Sequence, residues 1–180
     1  KNVGPAIREC SGFIDKYIGD AVMALFPHSA SDAVRAALAM RRELAGFNKK
    51  RMDDNLPAIG IGIGIHTGMM MLGTIGEEER MESTVISDSV NLASRLEGLT
   101  KQFGAPLIIS EHTLQKLGTY TESLCIRPLG RVYVKGKKAS VSIFEIIDQE
   151  SDERAEEKIE TLDMFTTAVR LFAKGNHGDA

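Results

Sequence analysis

Ser11–Phe26, SGFIDKYIGDAVMALF, is the stretch that decides the fold. Two apolar runs, Phe13–Ile18 and Ala21–Phe26, flank Gly19-Asp20, a pair suited to a tight turn between antiparallel strands. The hairpin therefore carries a carboxylate, Asp20, at its tip. Strict alternation puts Ile14, Lys16 and Ile18 on one face and Phe13, Asp15 and Tyr17 on the other. The isoleucine face is the one expected to meet a core, so Lys16 is predicted to point inward. An ammonium there either snorkels out or meets an acceptor such as a carboxylate or a nucleobase.

Outward from the hairpin, the 180 residues are 43% hydrophobic and 26% charged, enough for one ordinary globular domain with an appendage. The net charge of −3 and a pI near 5.9 give no global field for gripping a polyanion, which disfavours a nucleic-acid partner. Phosphate chemistry would need local basic groups or a metal. Cys10 and Cys125 lack CxxC spacing, and reduced thiols in a cytoplasmic setting are expected. No secretory signal and no apolar run of membrane-spanning length is present. Lys1–Cys10 reads as the end of a helix with no cap before it, so upstream sequence is expected.

After Pro27, Ser29 or Ser31 caps a helix over Asp32–Phe47, and Asn48–Pro57 reads as a charged loop. Ile59–Ile65 alternates isoleucine with glycine, the pattern of a central strand whose bare face admits another backbone or a ligand. His66-Thr67-Gly68 turns into a return strand, Met69–Ile75, and His66 is read as a hydrogen-bonded residue at the strand end. Ser87–Leu99 is an amphipathic helix with Val90, Ala93, Leu96 and Leu99 as its stripe and with Asn91 and Arg95 one turn apart on one face. An amide and a fixed guanidinium aimed at one spot suit a ribose and a phosphate. In isolation the pair fits a solvent-facing helix equally well. A strand over Phe103–Ser110, a helix over Glu111–Leu117, and strands Leu124–Val134 and Val141–Ile147 follow. The last two are joined by the basic turn Lys135-Gly136-Lys137-Lys138. From Gln149 the composition becomes charged, and Leu162–Leu171 has helical periodicity. This divides the chain into a domain over 1–148 and a linker with an appended helix over 149–180.

FIDKYIGDAVMALF, GIGIHTG, TVISDSVNLASRLE and VYVKGK, in this order and spacing, resemble the catalytic domain of class III nucleotidyl cyclases over about Gly12–Ile147. The resemblance implies an α+β fold: a ferredoxin-like βαββαβ core with additional C-terminal strands, to which the C-terminal helix is appended. It implies a head-to-tail homodimer whose sites are completed by both subunits. By the family pattern Lys16 and Thr84 read the purine, and Asp20 is one of two aspartates holding two Mg²⁺ or Mn²⁺ ions. From the other subunit, Asn91 orients the ribose, Arg95 stabilises charge on the phosphates, and Lys135 binds the terminal phosphates. Thr84 stands where adenine-reading members usually carry Asp. The Lys/Thr pair still points to ATP, because guanylyl members typically carry Glu and Cys at these places.

The activity implied is that of an adenylyl cyclase, converting ATP to 3′,5′-cyclic AMP and pyrophosphate. The family's other metal aspartate lies on a first strand of pattern FxDIxxFT, which this sequence lacks; that residue is expected upstream of Lys1, with a regulatory or sensor module. Two rivals are a catalytically silent cyclase-like dimerisation module and a ferredoxin-like RNA-binding domain. The second would want aromatic residues on its central strands, and aromatics are only 6%.

Overall fold

The structure, a computed structural model, describes residues 3–75, 82–86, 88–133, 140–152 and 154–175. In chain order its elements are α1 (Val3–Glu9), β1 (Phe13–Ile18), β2 (Ala21–Leu25), α2 (Ala30–Asp53), β3 (Ile63–Ile65), β4 (Met71–Ile75) and β5 (Glu82–Ile86). There follow α3 (Asp88–Phe103), β6 (Leu107–Ser110), α4 (Glu111–Leu117), a 3-10 turn over Gly118–Ser123, β7 (Cys125–Tyr133), β8 (Ser140–Ile147), α5 (Ala155–Glu160) and α6 (Leu162–Ala173).

The described strands form a four-stranded sheet in the order β3-β6-β8-β7 and two hairpins, β1-β2 and β4-β5. β3 runs parallel to β6, with α3 between them in sequence, whereas β6-β8 and β8-β7 are antiparallel. This is the mixed, α+β arrangement expected. Period-two alternation splits the core across the sheet. Ile108 joins Leu92, Leu96, Val141 and Ile143 on the α3 side, while Leu107 and Ile109 join Val34, Leu38 and Ile146 on the α2 side.

Four expected boundaries move. The charged stretch after Phe47 is helical: α2 runs to Asp53, since Lys, Arg and Met are good helix formers and no breaker precedes Asn55, whose φ is +56°. Ser29 is its N-cap, accepting from Ser31 N. The Ile/Gly run pairs only over Ile63–Ile65, because the partner strand begins at Leu107; β3 lies at the sheet's edge among the described strands. Ile59 is held instead by Asn48, whose side chain bonds both its N–H and its carbonyl, at 2.9 and 2.8 Å. The return strand pairs with β5, not with β3. Phe103 ends α3, leaving β6 to start at Leu107.

The segment after Ile147 is tied to the sheet by buried charge. Glu145 on β8 is 0% exposed and takes Arg127 Nε at 2.9 Å and Lys158 Nζ at 2.6 Å. Lys158, on α5, also donates to Asp152 at 2.7 Å and to the Gly104 carbonyl at 3.2 Å, so all three of its N–H groups are used. Arg127 in turn lies 4.6 Å from the ring centre of Phe165 on α6. Arg42 of α2 pairs with Asp148 at 3.1 Å. Buried Arg41 bonds Ser151.

Candidate functional site

The hairpin carries two of the expected residues. Its turn is Gly19-Asp20, with Ile18 opposite Ala21. Gly19 has φ +62° and Asp20 no positive φ, as in hairpin turns whose first central position needs glycine. Asp20 is exposed at the tip.

Lys16 is placed differently from the expectation. The register slips between Ile14, opposite Ala24, and Lys16, opposite Met23, so β1 contains a bulge. Ala24 and Met23 are consecutive and face opposite ways, and directly opposed residues share a face. Lys16 therefore does not share a face with Ile14. Its side chain is 38% exposed and makes an ion pair at 3.5 Å with Asp15, whose side chain is only 2% exposed. Strict alternation had put Asp15 on the other face, with Phe13 and Tyr17. A bulge without glycine leaves no mark in the sequence; an acid beside the lysine in an otherwise apolar strand was the available signal.

Asn91 and Arg95 lie on α3, both exposed and one turn apart. The helix buries Leu92, Leu96 and Thr100; Leu96 is buried as expected, while Val90, Ala93 and Leu99 of the expected stripe are half-buried. What fixes α3 is the glycine face of β3. A Cβ on Gly64 would sit 2.3 Å from Glu97 N and 2.4 Å from Ala93 O, and one on Gly62 would sit 2.1 Å from Thr100 Oγ1. The room made by glycine is filled by a helix backbone. The 66–69 turn braces the start of α3: Ser89 Oγ donates to the Met69 carbonyl at 3.1 Å, and a Cβ on Gly68 would meet Ser89 Oγ at 2.3 Å. His66 Nδ1 bonds Ser110 Oγ at 2.8 Å, the role expected at a strand end.

Thr84 lies on β5 opposite Gly73 in the backbone register. Lys135 lies outside the described residues. Among the element contacts described, the hairpin packs on α1 and α3 packs on β3 and β6. Lys16 and Asp20 thus share one element pair, and Asn91 and Arg95 another. Among the described residues no cluster of three or more His, Cys, Asp or Glu could hold a metal. A cavity of about 390 Å³ between α2 and the approach to β3 is lined by none of the candidate residues. Burial raises both thiols, Cys10 and Cys125, above their usual range, and they are unbridged.

Residues 14–147 match the adenylate and guanylate cyclase catalytic domain family. The chain is 47% identical over 150 residues to an adenylate cyclase of Anabaena cylindrica, covering 80% of this chain and 30% of that protein. It is 37% identical over 186 residues to the terminal-differentiation specific adenylate cyclase of Dictyostelium discoideum, covering 98% of this chain and 8% of that protein. The chain thus spans less than a third of either relative. Among solved structures it is similar to the adenylyl cyclase CyaB from P. aeruginosa, with TM-score 0.67 and 29% identity over 82% of this chain and 77% of that one. It is also similar to the guanylyl cyclase Cya2, with TM-score 0.66 and 28% identity over 84% of this chain and 76% of that one. With a hairpin, a glycine-clamped helix and a sheet arranged as described, and with 134 of its residues matching one family, the chain belongs to the class III nucleotidyl cyclases, the family of adenylate and guanylate cyclase catalytic domains.

Proposed function

We propose that this chain is the catalytic domain of an adenylyl cyclase, which converts ATP to 3′,5′-cyclic AMP and pyrophosphate at a site shared by two head-to-tail copies. The observation that carries the reading is the division of its polar groups: Lys16 and Asp20 on one solvent-reached hairpin, Asn91 and Arg95 on one exposed face of a clamped helix. Each pair is half of a site that a second copy completes. The relatives named adenylate cyclase support the same chemistry.

In this reading Lys16 and Thr84 contact the adenine edge, the lysine donating to a ring nitrogen and the hydroxyl accepting from the exocyclic amine. Asn91 of the second copy orients the ribose so that its 3′-hydroxyl lies in line with the α-phosphorus, converting the step into a positioned intramolecular attack. Arg95 neutralises charge building on the phosphorus-bound oxygens, and Lys135 holds the terminal phosphates. Family members generally use divalent metals, and Asp20 would hold Mg²⁺ or Mn²⁺ on the triphosphate, a group that lowers the cost of ionising the hydroxyl and of releasing pyrophosphate. The described residues do not complete a two-ion centre. The catalytic unit is assigned to 1–148 with the 149–180 segment docked on it, in a cytoplasmic protein. No described helix is long and apolar enough to cross a membrane.

The test is cyclic nucleotide formation from ATP and from GTP with Mg²⁺ or Mn²⁺, measured for the full-length protein and for its Arg95→Ala variant. Metal-dependent cyclic AMP formation is expected, with turnover falling about 10²- to 10³-fold in Arg95→Ala and nucleotide binding little changed. Unchanged turnover removes Arg95 from the mechanism. The alternative is a catalytically silent cyclase-like domain that dimerises and relays a signal, and nucleotide binding without product would support it.

A further inference from the structure

Asp15 is given no role by the family pattern drawn from the sequence, yet its side chain is enclosed within the hairpin region, 2% exposed. Neighbouring side chains on a regular strand point to opposite faces, so an acid and a lysine at consecutive positions do not normally meet. Here the bulge between Ile14 and Lys16 lets them. The Asp15 carboxylate comes within 3.5 Å of the Lys16 ammonium, with one side chain 2% exposed and the other 38%. Asp15 Oδ2 is enclosed and has no hydrogen-bond partner among the described residues, so the charge facing it at ion-pair distance is that of Lys16. A buried carboxylate that loses its counter-charge is costly, which restricts Lys16 to rotamers that keep Nζ beside Asp15. Bulges next to sites commonly re-aim a side chain in this way.

We infer that Asp15 is a positioning residue for Lys16: rooted in the bulge, it pins the ammonium to one direction and so sets the preference for adenine over guanine nucleotides. This rests on Lys16 being the purine contact. Adenine presents a ring acceptor at N1, where guanine presents an N–H donor. A lysine able to swing could leave that donor and reach the guanine O6 instead. Pinned by Asp15, it meets guanine donor against donor, the repulsive element that specificity needs.

The experiment compares kcat/KM for ATP and for GTP in the unaltered chain, Asp15→Asn, Lys16→Met and the double variant. Asp15→Asn is expected to lower the ATP-to-GTP ratio about tenfold, chiefly through a fall in KM for GTP. In the Lys16→Met background the same change is expected to add nothing, since its effect passes through the lysine. A purely structural role for Asp15 would lower both nucleotides' rates together and persist in that background. An Asp15→Asn ratio equal to that of the unaltered chain, with the ratio lost in Lys16→Met, overturns the positioning role. Lys16→Met with its ratio intact overturns the purine contact itself, and the inference with it. Should Asp15→Asn fail to fold, Asp15→Ser is read by the same two outcomes.

Discussion

Two lysines among the described residues pair with buried acids, Lys158 with Glu145 and Lys16 with Asp15, and they do so in opposite ways. Glu145 and Lys158 are 0% and 6% exposed at the side chain and 2.6 Å apart, with Arg127, Asp152 and the Gly104 carbonyl taking up the remaining bonding capacity. Asp15 and Lys16 stand 3.5 Å apart, and only the acid is buried. The first pair has no donor left to offer a ligand. The second leaves an ammonium 38% exposed, held from one side by the acid. Burial with complete pairing makes a charge part of the scaffold, whereas burial of one partner alone aims the other.

The sharpest way to break this contrast is to delete each lysine in turn. Lys158→Met leaves Glu145 and Asp152 short of a partner inside the protein and should cost about 3–5 kcal/mol in urea unfolding. Lys16→Met also strips the counter-charge from an enclosed carboxylate and should cost about 1–3 kcal/mol, less than Lys158→Met because one acid rather than two loses its partner, while altering nucleotide selection. Equal losses would erase the distinction between scaffold and aim.

A smaller effect concerns how α3 is held. Gly64→Ala puts a methyl 2.3 Å from the backbone of the helix that carries Asn91 and Arg95. It should cost about 1–3 kcal/mol by overpacking and should lower kcat more than it raises KM. A stable, fully active Gly64→Ala would show that the spacing of α3 from β3 is not what positions those two residues.

The smallest effect separates the two regions by pH. At Asp148 burial pushes the carboxyl up, but hydrogen bonds from Arg42 and Ser151 outweigh it and hold it below the usual range. At Asp152 burial is likewise outweighed by the Lys158 and backbone hydrogen bonds. Both are depressed when folded, so their contribution is complete above the ordinary carboxylate range near pH 4 and is lost as pH falls through the folded values. Thermal melts from about pH 6 down to about pH 3 should therefore lose stability, and Asp148→Asn with Asp152→Asn should flatten the decline. A slope unchanged in that double variant would place the acid sensitivity elsewhere.

Much of the fold was legible because it is written in local signals. Gly19-Asp20 marks the hairpin turn, α4 spans the expected Glu111–Leu117, and the helical spacing of Asn91 and Arg95 puts both on one exposed face. The bulge at Asp15 was not legible, since it comes from strand pairing and not from a turn residue. Nor was the purpose of the glycine face: alternation reveals a bare surface, and only packing reveals that Ala93 and Glu97 fill it.

The order of residues by itself determined the hairpin, the amphipathic helices, the family and the identities of the polar groups, because turn chemistry and periodicity act over a few residues. Tertiary structure alone decided which face Lys16 takes, that β3 is short and clamps a helix, and that Lys158 completes Glu145. Each of these depends on contacts between segments far apart in the chain, where backbone register and burial choose among side-chain directions that the local sequence leaves equally open.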